Sequence, residues 1–316
     1  MTQFPWGDGR RYNSYSRYCK EHYGGRVQRL PVDAGFFCPN RTNRATGGCT
    51  FCSNEAFTPK YLSVKQIGVQ EQINEGKIFF AKRYRNSLGY FAYFQSFTNT
   101  YAPVSILRNY CQSVLEIPDI KGIIISTRPD CLPDATLQFL SELDQKTDLC
   151  VEIGVESFSN DTLSHVNRGH SVECTFEAFE KLHDHGIRTC AHLIFGLPGE
   201  TPDQWIEEVK CSNILKPDFL KFHQLQIFKG TPIESEYSNN PERFWTFTAD
   251  GYVSFICDYL ERLSPDIVIE RICAEVPPRF LSVSNWKLLR HDTLVKKVEA
   301  ELTQRDTYQG VFAKGT

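Results

Sequence analysis

Short apolar runs alternate along this chain with amphipathic stretches of helical length. The apolar runs predict β-strands at 32–37, 90–94, 122–126, 149–153, 189–195 and 219–227. Between them, apolar residues recur with helical spacing, which predicts helices over 63–83, 104–115, 134–144, 171–185 and 201–213. Proline and acidic residues at 133–134 and 200–203 are typical of helix N-termini. Strands that alternate with helices in this way predict βαβ units and a parallel sheet.

Six such strands predict an α/β fold, a partial (β/α)6 barrel of the TIM type, with its site in the loops after the carboxyl ends of the strands. We therefore predict an N-terminal extension at 1–30, a barrel at 31–230 and a C-terminal extension at 231–316. Prolines become frequent in the last segment. Two further helices, over 249–263 and 292–303, are expected to pack against the barrel.

Composition is typical of a globular protein. Of 316 residues, 41% are hydrophobic and 23% are charged, which argues against a disordered or fibrous chain. The formal net charge of −3 gives no global attraction to nucleic acid or to acidic membranes. No apolar run approaches the length of a membrane span, and the first ten residues lack the apolar core of a signal peptide. We therefore expect no membrane association and a cytoplasmic location.

Twelve cysteines require an explanation, because disulfides are rare in the cytoplasm. Nine are isolated, several of them in apolar runs where packing is the simplest role. The other three, Cys38, Cys49 and Cys52, share the loop after the first predicted strand, where Gly47 and Gly48 permit a tight turn. Three thiolates suit an iron–sulfur cluster that keeps one iron open. The alternatives are a zinc site with a distant fourth ligand and a redox-active Cys49/Cys52 dithiol.

This cysteine loop, at the end of the first strand of a βα repeat, resembles that of the radical S-adenosylmethionine (SAM) superfamily. The usual spacing there is Cys-x3-Cys-x-aromatic-Cys. This chain keeps Cys-Thr-Phe-Cys at 49–52 but has ten residues between Cys38 and Cys49. The longer spacing is similar to that of the YhcC/YtqA-like subgroup, as are segments at 93–101, 126–134, 152–157, 167–170 and 192–200.

The resemblance implies that Cys38, Cys49 and Cys52 bind three irons of a 4Fe-4S cluster, and that SAM binds the fourth iron. Reduction of the cluster then cleaves SAM to methionine and a 5′-deoxyadenosyl radical, which abstracts hydrogen from the substrate. The resemblance also implies an electron donor of the flavodoxin or ferredoxin type. It assigns neither the residues that act on the substrate nor the oligomeric state.

The resemblance further implies contacts to SAM. Phe51 is expected beside the adenine, with a packing role beneath the loop as the alternative. Glu156 is expected to accept hydrogen bonds from ribose hydroxyls or the amino group. Arg168 is expected to bind the carboxylate bidentately, with a surface ion pair as the alternative. The remaining candidates are Thr98 near the amino group, Ser126 near the ribose and Ile194, whose backbone approaches the adenine.

Polar residues outside these motifs have two interpretations each. His192 and His223 lie in predicted strands, where they are either substrate contacts in the barrel lumen or ordinary buried histidines. Asp130 and Asp134 are expected to form a turn and a helix cap, not an acid–base pair.

Two basic segments are candidates for contact with RNA. The first thirty residues interleave arginine and lysine with tyrosine, and aromatic rings beside arginines can stack on unpaired bases. Residues 82–86 could contact phosphates. The alternatives are a helix docked on the barrel and a solvated helix end. The subgroup suggests modification of the tRNA wobble uridine. The rival hypotheses are a radical SAM enzyme for a small metabolite and a non-catalytic zinc-binding protein.

Overall fold

The computed structural model describes residues 4–44, 46–63, 67–82, 86–283, 286 and 289–313. Seven parallel strands form one curled sheet, a half-barrel, in the order in which they occur along the chain. They are β1 (Gln28–Val32), β2 (Tyr90–Phe94), β3 (Ile120–Thr127), β4 (Asp148–Glu156), β5 (Arg188–Phe195), β6 (Phe219–Gln224) and β7 (Val268–Arg271). The predicted partial α/β barrel is confirmed, with one strand more than expected.

Helices connect and cover these strands. They are α1 (Tyr15–Tyr23), α2 (Asn54–Phe57), α3 (Lys60–Ser63), α4 (Val69–Ala81), α5 (Val104–Leu115), α6 (Asp134–Asp144), α7 (Asn160–His165), α8 (Val172–Asp184), α9 (Pro202–Glu207), α10 (Val209–Leu215), α11 (Pro232–Asn239), α12 (Ala249–Arg262) and α13 (His291–Gln304). The helix predicted over 201–213 is divided into α9 and α10. The helix predicted over 63–83 is α4, and the ends of that prediction at 64–66 and 83 lie outside the described residues.

One strand was predicted at the wrong residues and another was missed, each for a physical reason. The first strand was predicted at 32–37 but is β1, Gln28–Val32, and most of the apolar run forms the loop toward the cysteines. β1 was not recognised as a strand because its Arg29 and Pro31 interrupt the apolar pattern. Arg29 is a charged residue that faces the lumen, and Pro31 is tolerated because β1 is an edge strand. β7 was missed because Glu270 and Arg271 make half of this four-residue strand charged.

Both faces of the sheet are buried, as is usual for parallel sheets. On the outer face, alternate strand residues pack against the covering helices; they include Leu30, Phe94, Ile125, Val151, Leu193 and Phe222. The intervening residues face the lumen, where side chains of non-adjacent strands meet. Tyr93 of β2 donates a hydrogen bond to Glu152 of β4, for example, over 2.8 Å.

Helix α1 closes the amino end of the barrel. Its residues Tyr18 and Cys19 pack against Cys190, Phe219 and Val268, which lie near the starts of β5, β6 and β7. The cysteine loop follows β1 and so lies at the opposite, carboxyl end. The basic, tyrosine-rich N-terminal segment is thus a helix docked on the barrel, which was the alternative to an RNA-binding face.

The segment after residue 230 contributes to the same core. β7 pairs with β6, and α13 places Leu294, Val298 and Leu302 in the main hydrophobic cluster. The predicted boundaries at 30 and 230 stay predictions. No helix among the described residues is both long enough and apolar enough to span a bilayer.

Candidate active site

A cavity of about 200 Å³ lies at the carboxyl ends of the strands and extends into the lumen. The sequence-predicted site residues that line it are Cys38, Cys49, Phe51, Cys52, Thr98, Ser126, Glu156 and Arg168, together with His192 and His223. Ile194 does not line the cavity; it packs with Val166 and Leu197 in an apolar cluster against which Phe51 lies. A second cavity, of about 310 Å³, lies beside Trp245 and Phe247 and contains none of the predicted residues.

The long spacing between the first two cysteines is accommodated by a small hairpin. Arg41 pairs with Gly47 in an antiparallel bridge, and the N–H of Gly48 donates to the carbonyl of Asn40 over 2.7 Å. Gly47 has a φ of 79°, and a Cβ there would lie 2.9 Å from the backbone nitrogen of Thr42. The extra residues therefore fold back on themselves and return the chain to Cys49 beside Cys38.

Cationic and amide side chains surround the cysteine thiols. Arg168 Nη1 lies 3.6 Å from Cys49 Sγ, and Arg41 Nη2 lies 3.4 Å from Cys52 Sγ. Asn54 Nδ2 is 3.8 Å from the Cys52 sulfur. Burial and the neighbouring Cys49 raise the pKa of Cys52, while Arg41 opposes that shift. These donors suit sulfur atoms that carry negative charge.

Glu156 ends β4 in a conformation that is unusual for a residue with a side chain. Its φ is 69°, next to an irregularity in the pairing of β4 with β5. Such backbone strain is often found at functional sites. The turn directs the carboxylate into the cavity, where Oε1 lies 3.4 Å from Arg168 Nη2 and Oε2 lies 3.3 Å from His192 Nδ1. Oε2 is nevertheless buried without a hydrogen-bond partner.

Arg168 links three parts of the site. Besides Cys49 and Glu156, it contacts β4, since its Nη2 donates to the carbonyl of Gly154 over 2.6 Å. A Cβ on Gly154 would lie 2.4 Å from this Nη2 atom, so only glycine admits the guanidinium here. The Nε of Arg168 is buried and has no hydrogen-bond partner. The alternative of a surface ion pair does not apply, because Arg168 is 7% exposed and its ion pair with Glu156 is buried.

A charged network fills the lumen beneath the cavity. Lys221 Nζ lies 2.5 Å from Glu152 and 2.9 Å from Glu270, and Arg29 forms two hydrogen bonds with Glu270. Burial alone would raise the pKa of Glu270, but Arg29 and Lys221 outweigh it and lower the value to about 2. We call Arg29, Tyr93, Glu152, Lys221 and Glu270 the lumen network.

Above this network, His192 and His223 stack edge to face with ring centroids 4.1 Å apart. The Nε2 atom of each ring is buried without a hydrogen-bond partner. Burial lowers the pKa of His223 well below its usual value, and His192 and Arg271 lower it further. Burial also lowers the pKa of His192, while Glu156 opposes that shift. The two Nε2 atoms are therefore available to hydrogen-bond a ligand.

Sequence reasoning missed several cavity residues. Arg271 and Lys221 line the cavity, yet no local motif marked them. The one sequence signal available for these two cavity residues was a charged side chain at a strand position that faces the lumen. Tyr93 also lines the cavity; it lies in a segment marked by the resemblance but was given no role. Asp130 forms an ion pair with Arg128 over 2.8 Å, in agreement with the turn interpretation. The basic segment at 82–86 lies outside the described residues from 83 to 85.

The donor set fits a metal–sulfur centre with a polar organic ligand beside it. Three thiols face a cavity that also holds an unpartnered carboxylate oxygen and an unpartnered guanidinium N–H. Within the described part of the chain, the one group of three His, Cys, Asp or Glu residues whose ligand atoms all lie within 4.8 Å of one another is Glu152, Cys190 and Glu270. The three cysteine sulfurs are thus more widely spaced than a single tetrahedral zinc ion requires.

Comparisons with known proteins identify the family of this chain. The profile of the Radical SAM superfamily matches residues 39–211, and that of the Radical_SAM C-terminal domain matches 217–304. The uncharacterized protein YtqA of Bacillus subtilis is 37% identical over 98% of this chain and 95% of its own length. Protein YhcC of Escherichia coli is 30% identical over 87% of each chain.

More distant relatives match in part. A tRNA uridine(34) acetyltransferase of Dehalococcoides mccartyi is 27% identical over 54% of this chain and 36% of its own. The structure of Elp3 from the archaeon Methanocaldococcus infernus superposes with a TM-score of 0.63 at 17% identity, over 76% of this chain and 59% of that chain. This likeness shows the fold alone. From the profile match, the near-full-length relatives and the cysteine cavity together, the chain belongs to the radical SAM superfamily, in the subgroup of YtqA and YhcC, and is an enzyme of that superfamily.

Proposed function

We propose that Cys38, Cys49 and Cys52 hold a 4Fe-4S cluster whose open iron binds SAM within the cavity. The observation that carries this proposal is the convergence of three thiols with unpartnered atoms of Glu156 and Arg168 in one buried space. When bound and reduced, the cluster supplies the electron that cleaves SAM into methionine and a 5′-deoxyadenosyl radical. An electron donor of the flavodoxin or ferredoxin type completes the system.

The surrounding side chains bind and orient SAM. Arg168 holds its carboxylate, while Glu156 accepts hydrogen bonds from its amino group or ribose through the free Oε2 atom. Ser126 serves the ribose and Thr98 the amino group. Phe51 lies along the adenine, supported from behind by the cluster that contains Ile194.

Metal and sulfide analysis of anaerobically purified protein tests the cluster. We expect about four iron and four sulfide per chain, together with SAM-dependent formation of 5′-deoxyadenosine after reduction. Cys38→Ala, Cys49→Ala and Cys52→Ala should each lose the cluster. The matched control is Cys211→Ala, a half-buried helix cysteine outside the cavity, which should keep full iron content. Zinc without sulfide in the wild type would refute the proposal.

For the substrate, we propose a uridine at the wobble position of tRNA. Support comes from the partial likeness to the tRNA uridine(34) acetyltransferase, which spans 54% of this chain. The structural likeness to Elp3 adds that the two proteins share the same barrel fold. The N-terminal tyrosines give no support, because Tyr12 and Tyr18 are buried in the protein.

Comparison of modified nucleosides tests this substrate. tRNA from a strain that lacks the gene should lose one wobble-uridine modification and accumulate its precursor. Wild-type protein should restore the product, whereas the Cys49→Ala variant should not. An unchanged nucleoside profile would contradict the tRNA proposal and favour a small metabolite.

A further inference from the structure

We propose that Arg271 and His223 form an oxyanion site, which binds a carboxylate or phosphate group of the substrate. The site lies on the β6–β7 side of the cavity, across from the residues assigned to SAM. This inference rests on the proposed function only in taking the cavity as the place where the substrate binds.

Arg271 differs from the other cations of the cavity in having no partner. The others are Lys221, paired with Glu152 and Glu270; Arg168, paired with Glu156; Arg128, paired with Asp130; and Arg41, which donates to the Arg44 carbonyl and lies against Cys52. Among the described residues, no carboxylate lies within 4.0 Å of the Arg271 guanidinium, and none accepts a hydrogen bond from it. A half-buried guanidinium without a counter-charge favours an anionic ligand.

The strand register explains why Arg271 is left without a partner. Its Cα pairs with that of Lys221 after an irregularity between β6 and β7. The adjacent Glu270 is fully engaged by Lys221 and Arg29. The lumen network contains two cations and two carboxylates, so its formal charge is zero and it cannot neutralise Arg271.

His223 supplies a second donor beside this guanidinium. No side chain or carbonyl in the described part of the chain hydrogen-bonds its ring, and its Nε2 is buried. His223 and Arg271 lie on the paired strands β6 and β7 and line the same cavity. The positive charge of Arg271 also lowers the pKa of the ring. A neutral imidazole donates one N–H, and a guanidinium donates two in a planar fork. Together they match the oxygens of a carboxylate or phosphate, and neither offers a negative charge that would repel them.

Ligand-observed NMR tests the site on the cluster-containing protein. The probes are acetate for a carboxylate, and dimethyl phosphate and inorganic phosphate for the phosphate source. We expect saturable binding of at least one probe, about tenfold weaker in Arg271→Gln. Arg271→Lys should retain part of it. The control is Arg279→Gln, an exposed arginine over Phe280 outside the cavity, which should bind as the wild type does.

The outcomes separate the two proposals. Equal probe binding by wild type and Arg271→Gln, or no binding by the wild type, overturns the oxyanion site. Preference for acetate assigns a substrate carboxylate, whereas preference for dimethyl phosphate assigns a phosphodiester. Iron content and substrate-free 5′-deoxyadenosine formation are measured on the same wild-type sample. Their absence from the wild type would refute the proposed function and leave the anion result standing. If the Arg271→Gln variant fails to fold, probe binding is compared between the wild type and His223→Gln instead.

Discussion

At the scale of single residues, Arg168 has the most consequential position. It follows the short helix α7, yet its guanidinium contacts the sulfur of Cys49, the carbonyl of Gly154 and the carboxylate of Glu156. A planar fork with several N–H donors can satisfy all three directions, whereas a lysine ammonium is a single point of charge. The side chain therefore sets the relative position of the cysteine loop and β4.

Arg168→Lys should weaken SAM binding by about tenfold to a hundredfold, the effect of losing a charge-assisted hydrogen bond. Equilibrium binding of SAM to the reconstituted protein measures this change. Iron content should be retained, because the three cysteines are unchanged. Wild-type SAM affinity in the variant would show that Arg168 is only structural.

Glu200 makes folding stability depend on pH. It is buried, and although Ser157 and Trp205 donate hydrogen bonds to it, burial raises its pKa to about 7. A carboxyl whose pKa is raised on folding binds protons more tightly when folded, so its contribution weakens as pH rises from about 4.5 to about 7. Relative to Glu200→Gln, the wild type should lose roughly 3 kcal/mol of unfolding free energy over that range.

Urea unfolding of both proteins at several pH values measures this difference, with exposed Glu207→Gln as the control. A constant difference between the wild type and Glu200→Gln from pH 5 to pH 8 would contradict the raised pKa.

Whether a site residue could be predicted from the sequence depends on whether the pattern that marks it lies within one short segment of the chain. Cys38, Cys49 and Cys52 were found because ligand spacing within one loop is readable from the chain. Arg271 and Lys221 were not, because their roles depend on partners on other strands. Ile194 was named by resemblance for its backbone; its side chain packs in the apolar cluster against which Phe51 lies, and the approach of its backbone to the adenine stays a prediction.

At the scale of elements, the half-barrel is held together across its gap by side chains. β1 and β7 are the two ends of the sheet and share no ladder hydrogen bonds. Arg29 of β1 and Glu270 of β7 form an ion pair with two hydrogen bonds, and their side chains are 14% and 4% exposed. The gap is further covered by Ser14, which bridges to Ile269.

A double-mutant cycle of Arg29→Met and Glu270→Gln should show strong coupling. Each single change leaves the lumen network with an unbalanced buried charge, although Lys221 still faces Glu270 and Glu152 still faces Arg29. Each should cost about 3–5 kcal/mol, while the double variant should cost less than the sum. Urea unfolding measures all four proteins. The exposed pair of Lys297 and Asp250 is the control, where coupling below about 1 kcal/mol is expected. Additive effects at Arg29 and Glu270 would show that other contacts hold the sheet edges together.

Helices with strong apolar periodicity could be predicted from the sequence, whereas strands that carry inward-facing charges could not. α5 and α6 have the predicted bounds, because an amphipathic helix buries one apolar face whatever lies around it. β1 and β7 carry Arg29 and Glu270 inward. Their burial is stable only because the two charges meet, which no local pattern expresses.

At the scale of the whole molecule, the twelve cysteines should divide by environment. In the cluster-loaded protein, Cys38, Cys49 and Cys52 should resist alkylation, and removal of iron by a chelator should expose them. Cys111 and Cys257 are fully buried, and burial raises the pKa of each to about 12, so both should stay unmodified in either state. Peptide mass spectrometry measures the labelling. Chelator-independent labelling of the three loop cysteines would argue against their role as ligands.

Because α1 packs against the amino end of the barrel, the lumen formed by the described residues opens at the carboxyl end, where the cavity lies. Whatever binds deepest must enter before anything that binds above it, and it must leave last. A large substrate seated over the carboxyl end would close the remaining opening with its own surface. The fold would then exclude water during the reaction without a dedicated lid, and turnover would wait for that substrate to depart.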